Sequence, residues 1–228
     1  MAKIMACGSR DAGDIRLLSK AGVDAIGLIT EVRQNLACNL SRNKARELQE
    51  LIPPGILSVL VLTEENAFEI CRLAEYVNPD IIQLHGNITP EVISLLKERI
   101  DIRLTRAVLV NKAAAQNETQ IINLALEYLE AGADAILIDS SGGGKYGSTG
   151  VTVDFTLARF LRDAIYPRPL ILAGGLNPDN VARALTRVKP YAVDVFTGII
   201  EKEHLSPAKV EQFIARARSV DCKEMVEK

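Results

Sequence analysis

The sequence predicts an α/β protein, a (β/α)8 or TIM barrel in which residues 1–228 form a single domain. Three observations predict it. Eight short apolar, β-branched runs alternate with helical stretches, and their near-continuous hydrophobicity suits parallel strands covered by helices. The linkers are short, with no Ser/Pro-rich hinge. The chain also echoes itself: "AGVDAIGLI" starts at Ala21 and "AGADAILID" at Ala131, 110 residues on, while Pro79 and Pro190 recur in a second shared phrase. Two halves of four βα units account for both matches.

In chain order the expected strands are 2–7, 24–29, 56–62, 80–85, 102–110, 134–139, 169–174 and 192–197. Thr89-Pro90, Asn177-Pro178 and Ser206-Pro207 each place a capping side chain before a proline suited to a first helical turn. Gly22 and Gly132 stand where a helix needs a left-handed residue to stop before the next strand. In "VEQFIARARSV", Val210, Phe213, Ile214 and Ala217 fall on one face of the last helix. An open doubly wound sheet is the alternative, but Gly8-Ser9-Arg10 after the first strand is not its GxGxxG turn.

Composition narrows the function. A formal charge of −2 leaves no electrostatic footprint for nucleic acid or an acidic membrane surface. Without an 18-residue apolar run or a signal-type N-terminus, no membrane span is expected and a cytoplasmic location is the expectation. Cys7, Cys38, Cys71 and Cys222 lack metal or disulfide spacing, and His85 and His204 make a poor metal set. Scattered apolar helix positions fit a monomer or a homodimer alike.

In a barrel the residues that close each strand face the active-site mouth. "LAGGLNPDNV" sets Gly174 and Gly175 after the seventh run, and Thr197-Gly198 closes the eighth. Backbone donors at these two turns make a phosphate site, and phosphate sites recur there in this fold. Asp139 closes the sixth run at the rim, where partial burial raises a carboxyl pKa toward that of a general acid. The glycine-rich stretch 142–150 after it reads as a lid. Asp194 lies inside the eighth run and points toward the barrel interior or the helices; Gln83 and His85 end the fourth run. Cys7 closes the first run across the mouth from Asp139, a pairing in which one group takes a proton while the other gives one, with Lys3, Arg10 and Arg33 as possible sources of the positive charge a thiolate needs.

"KIMACG", "DIIQLHG", "ILID", "YGSTG", "LAGGLNPDNV" and "AVDVFTG" occur in the order and spacing of the phosphoribosylanthranilate isomerase family of tryptophan biosynthesis, which the chain resembles over nearly its whole length. The resemblance implies an Amadori rearrangement of a phosphoribosyl aminoaldose to an aminoketose. Asp139 would be the general acid, Cys7 the general base, and Gly174, Gly175, Thr197 and Gly198 the phosphate donors, with no metal or organic cofactor. The partner implied is a small phosphorylated substrate. Three places depart from the family pattern. The segment after strand two lacks the family's Ser- and Arg-containing motif, leaving Arg33 as a candidate substrate contact beside His85 and Asp194. Val151 and Phe155 stand where Lys and Trp are common, and Phe196-Thr197 replaces two small hydroxyl residues. A sister barrel acting on another phosphosugar, or a non-catalytic phospholigand-binding barrel, are the alternatives.

Overall fold

The structure, a computed structural model, describes residues 1–110, 117–140 and 152–226, the backbone alone for 221–226. Eight parallel strands close a barrel in sequence order: β1 (Lys3–Cys7), β2 (Ala25–Ile29), β3 (Leu57–Leu62), β4 (Ile81–Leu84), β5 (Arg103–Val110), β6 (Ala135–Ser140), β7 (Leu170–Leu172) and β8 (Ala192–Val195). Around them run α1 (Ala12–Ala21), α2 (Arg42–Gln49), α3 (Ala67–Val77), α4 (Pro90–Arg99), α5 (Glu118–Glu130), α6 (Phe155–Ile165), α7 (Val181–Val188) and α8 (Pro207–Val226). A two-stranded antiparallel ribbon, β9 (Ile200–Glu201) with β10 (His204–Leu205), follows the barrel's last strand. Among the described residues no helix is long and apolar enough to cross a membrane.

Every strand is buried on both faces, which is why the runs read as continuous rather than alternating. Period two still sorts them. Ile4, Ala6, Ile26, Leu28, Leu60, Leu62, Ile82 and Leu84 join the layer between strands and helices. Met5, Cys7, Ala25, Ile29, Val59 and Val61 form one apolar group inside the barrel on β1–β3. Ala107, Ala135, Leu137, Ile171, Ala173 and Ala192 form a second on β5–β8. Gln83 on β4 and Asp194 on β8 are both buried inside the barrel, near enough for the Gln83 amide to favour the Asp194 charge.

The internal echo has a structural content. Asp24 accepts from the Ile4 amide at 2.9 Å and Asp134 from the Leu104 amide at 2.7 Å, so the same Asp in each half satisfies an N–H at the start of the preceding strand. In the second phrase Asn78 and Lys189 end α3 and α7 in the left-handed conformation, with φ of 55° and 51°, before Pro79 and Pro190. Gly22 and Gly132 also take positive φ, 86° and 109°, as expected. One expected helix start is corrected. Asn177-Pro178 opens a separate turn, in which Asn177 Oδ1 accepts from the amides of Asp179 and Asn180, and α7 begins only at Val181.

Candidate active site

The carboxyl ends of the strands surround one pocket, lined by Cys7, His85, Asp139, Gly174, Gly175, Asp194 and Thr197 among others. Seven of the nine residues singled out from the sequence therefore meet in one place. Arg33 and Gly198 do not line it. Arg33 is exposed and turned toward Glu65, 3.8 Å away. Gly198 is a wedge, with its α-carbon so close to the Leu176 carbonyl and Asn177 that no β-carbon fits, and it holds the turn after β8 against the turn after β7. The stretch 142–150 and Val151 lie outside the described residues.

Cys7 is both buried and at the site, only 3% exposed. Space for its sulfur comes from Gly27, its register partner on β2, where a β-carbon would overlap Sγ. The thiol donates to Asp194 Oδ1 at 3.3 Å. Burial pushes its pKa well up, and the charge of Asp194, the bond to it and the charge of Asp139 push the same way. The cations named as possible sources of positive charge are engaged elsewhere: Lys3 pairs with Asp24 at 3.0 Å, and Arg10 donates to the Glu203 carbonyl at 3.1 Å. Cys7 is therefore held as a thiol, and the question the sequence left open is answered by a raised pKa.

Asp139 enters from β6, with β7 and β8 between it and β1. It is 7% exposed, and Oδ1 accepts the Ser140 amide at 2.7 Å. Burial raises its pKa to about 7; the Ser140 amide opposes the rise and the Asp194 charge adds to it. Asp194 is itself raised to about 6 by burial, although the Cys7 thiol that donates to it and the nearby Gln83 amide both favour its charge. Two carboxyls thus sit near neutrality in one dry site, the environment that separates acid from base roles.

His85 is reached through the same network. Its Nε2 lies 2.9 Å from Gln83 Nε2. Because Gln83 donates there, His85 Nε2 accepts and the ring proton resides on Nδ1, which is buried and without a partner among the described residues. Burial, then the charge of Arg106, lowers the His85 pKa to about 4, so the ring is neutral. Arg106 on β5 keeps the turn beyond β4 in place by donating to the carbonyls of Leu84 at 2.9 Å and Ile88 at 3.4 Å.

Gly174 and Gly175 take positive φ, 81° and 62°, a conformation closed to most side chains. Asn180 Nδ2 donates to the Gly175 carbonyl at 2.9 Å, which fixes the peptide joining Gly175 to Leu176 at the end of this turn. Neither glycine amide donates to a backbone carbonyl among the described residues. Successive free amides in a left-handed turn make an anion cradle. Thr197 begins a short 3-10 turn, Thr197–Ile199, beside it.

Sequence reasoning missed Gly27, Gln34, Thr63 and Asn180. Gln34 and Thr63 line the pocket, while Gly27 and Asn180 shape it from behind. The only available signals were a glycine inside an apolar strand and an Asn three residues after Asn177.

The family model for N-(5'-phosphoribosyl)anthranilate (PRA) isomerase matches residues 4–216. An N-(5'-phosphoribosyl)anthranilate isomerase from Methanothrix thermoacetophila is 36% identical over 219 residues, 96% of this chain and 99% of the relative. The crystal structure of phosphoribosyl anthranilate isomerase from Thermotoga maritima superposes with a TM-score of 0.81 at 31% identity, covering 96% of this chain and 100% of the other. A third similar structure is an isomerase in complex with reduced 1-(o-carboxyphenylamino)-1-deoxyribulose 5-phosphate, with a TM-score of 0.79 at 30% identity and coverage of 96% and 100%.

Proposed function

The chain belongs to the N-(5'-phosphoribosyl)anthranilate isomerase family, and on that premise we propose that Asp139 and Cys7 carry out the isomerisation of phosphoribosylanthranilate, a step of tryptophan biosynthesis. One observation carries the reading: an acid near neutrality and a thiol open into the same pocket as two glycine amides that bond to no backbone carbonyl among the described residues. The substrate phosphate rests on the amides around Gly174 and Gly175 with Thr197 beside them, which fixes the ribose over the two carboxyls.

Protonated Asp139 gives its proton to the furanose ring oxygen as the bond from that oxygen to C1 breaks. The nitrogen lone pair forms the C1=N double bond of a cationic Schiff base. That cation enters a site with two carboxyls and one thiol, so it favours a thiolate where the empty site opposed one. Ionised Asp194, already accepting the S–H, takes the thiol proton, and the Cys7 sulfur removes the C2 proton. The C2–H electrons form C1=C2 and the C=N electrons return to nitrogen; the enol then loses its C2 hydroxyl proton and gains a proton at C1 to give the aminoketose. His85 offers its Nδ1–H to a sugar oxygen. A cytoplasmic setting and action as a monomer or homodimer belong to the same reading.

The experiment is a fluorescence assay of phosphoribosylanthranilate conversion with the parent, Cys7→Ser and Asp139→Asn. Each variant loses on the order of 100-fold or more in kcat. Parent-like turnover in both would overturn the assignment.

A further inference from the structure

The mechanism uses the floor of the pocket and leaves one wall unassigned. That wall is the segment 30–41 between β2 and α2, and it is well fixed. Thr30 pairs with Leu40 in a parallel bridge, and the Asn39 side chain both accepts from the Val32 amide at 3.0 Å and donates to the Val32 carbonyl at 2.9 Å. The Leu36 amide donates to the Gln34 carbonyl at 3.0 Å, so the backbone at Gln34 is set by the turn and not by its own side chain.

Gln34 lines the catalytic pocket and also a cavity of about 450 Å³ beside it. Leu36, Phe196 and Thr197 also line both, so the two spaces are neighbours with a common apolar flank. Gln34 Nε2 is buried and has no hydrogen-bond partner among the described residues. A desolvated amide nitrogen without an acceptor is unfavourable, and such a group in a binding site is explained most simply by an acceptor the ligand brings. Among the described residues lining these two cavities there is no Lys or Arg. An anionic group at this wall meets a neutral donor.

We propose that Gln34 is a specificity-determining residue, whose Nε2 donates to the carboxylate of the substrate's anthranilate ring while Leu36 and Phe196 flank the ring. The inference rests on the proposed isomerase function. The amide discriminates by leaving a buried donor unpaired when the carboxylate is missing, a penalty that the correct substrate removes. Recognition by an amide also makes the KM less sensitive to ionic strength than recognition by a guanidinium.

The test compares phosphoribosylanthranilate with the analogue in which aniline replaces anthranilate, in the parent, Gln34→Leu and Gln34→Glu. The parent favours the carboxylated substrate by about 10- to 100-fold in kcat/KM. Gln34→Leu loses most of that preference through KM on phosphoribosylanthranilate and keeps its rate on the aniline analogue within about 3-fold, which also shows that it folds. Gln34→Glu, nearly isosteric, is worse still on phosphoribosylanthranilate because two carboxylates then meet. Equal losses on both substrates in Gln34→Leu, or an unchanged preference, overturn the proposal while leaving the isomerase assignment standing. A parent inactive on both substrates overturns the function and this inference with it.

Discussion

Gly174 and Asp139 approach so closely that a β-carbon on Gly174 would stand 3.1 Å from the Asp139 carboxylate oxygen Oδ1. The same added atom would lie 2.9 Å from the Ser140 amide nitrogen and 2.6 Å from Val153 Cγ2. The phosphate turn and the acid are therefore one packed unit. Gly174→Ala displaces the acid as well as straining a φ of 81°, at a cost of about 1–3 kcal/mol in stability. We expect kcat to fall at least about 10-fold, because misplacement of a reacting group by an ångström costs heavily. Steady-state kinetics beside a thermal melt check both parts. A fall confined to phosphate affinity, seen only in KM, contradicts the coupling.

The pH profile follows from the two carboxyls. Asp139 must be protonated to act as acid, and with a pKa of about 7 its activity is lost as pH rises through that value. Asp194 must be ionised to accept the thiol proton, and with a pKa of about 6 its contribution is lost as pH falls. The kcat/KM profile is accordingly a narrow bell between them, whose limbs belong to the coupled pair. Asp194→Asn lowers the maximum and removes the acid limb. Rates measured across pH 5–8.5 decide it, and an unchanged acid limb in that variant counts against the relay.

Stability carries the opposite mark of the same shift. The folded pKa of Asp139 is raised above its ordinary 3.8, so the folded state holds more proton than the unfolded chain between roughly pH 4 and 7. Its contribution is complete below the unfolded pKa and is lost as pH rises toward 7. Asp139→Asn removes that dependence, and the variant is more stable than the parent at pH 8 by on the order of a few kcal/mol. Urea unfolding at pH 4.5 and pH 8 tests this; a variant with no gain at pH 8 shows that the carboxyl is not held against its charge.

Gly27→Ala places a methyl where the Cys7 sulfur sits. The bond from Sγ to Asp194 is then broken, and kcat falls toward that of Cys7→Ser although no reacting atom has been replaced. Thiol labelling of the folded protein gives an independent reading, since a displaced sulfur becomes accessible.

Arg33→Ala tests the expectation that the structure did not bear out. With its guanidinium exposed and directed to Glu65, its removal changes KM by less than about 3-fold. A large rise in KM would return Arg33 to the substrate site.

The barrel was legible because a parallel strand buried on both faces leaves a short, β-branched apolar run bounded by helix stops and turns, and "ILSVLVL" became β3 with one residue trimmed. Cys7 and Asp139 were legible because each ends such a run, and strand ends are where this fold exposes side chains. The thiol's environment was not. Nothing in the sequence says that Lys3, Arg10 and Arg33 turn to Asp24, Glu203 and Glu65. Gln34 was hidden because its place depends on a loop held by Asn39, five residues away, and loops carry no period to read. Asn177-Pro178 looked like a helix start because an Asx-Pro turn and a capped helix share the same local chemistry.

The Gln83 amide beside Asp194 sets the last strand of the first half against the last strand of the second, between the two apolar groups inside the barrel. Each half alone holds only one member. A chimera that joins either half to a foreign partner without the matching residue encloses a carboxyl without its amide or an amide without its carboxyl, so this polar pair makes each half selective for the other.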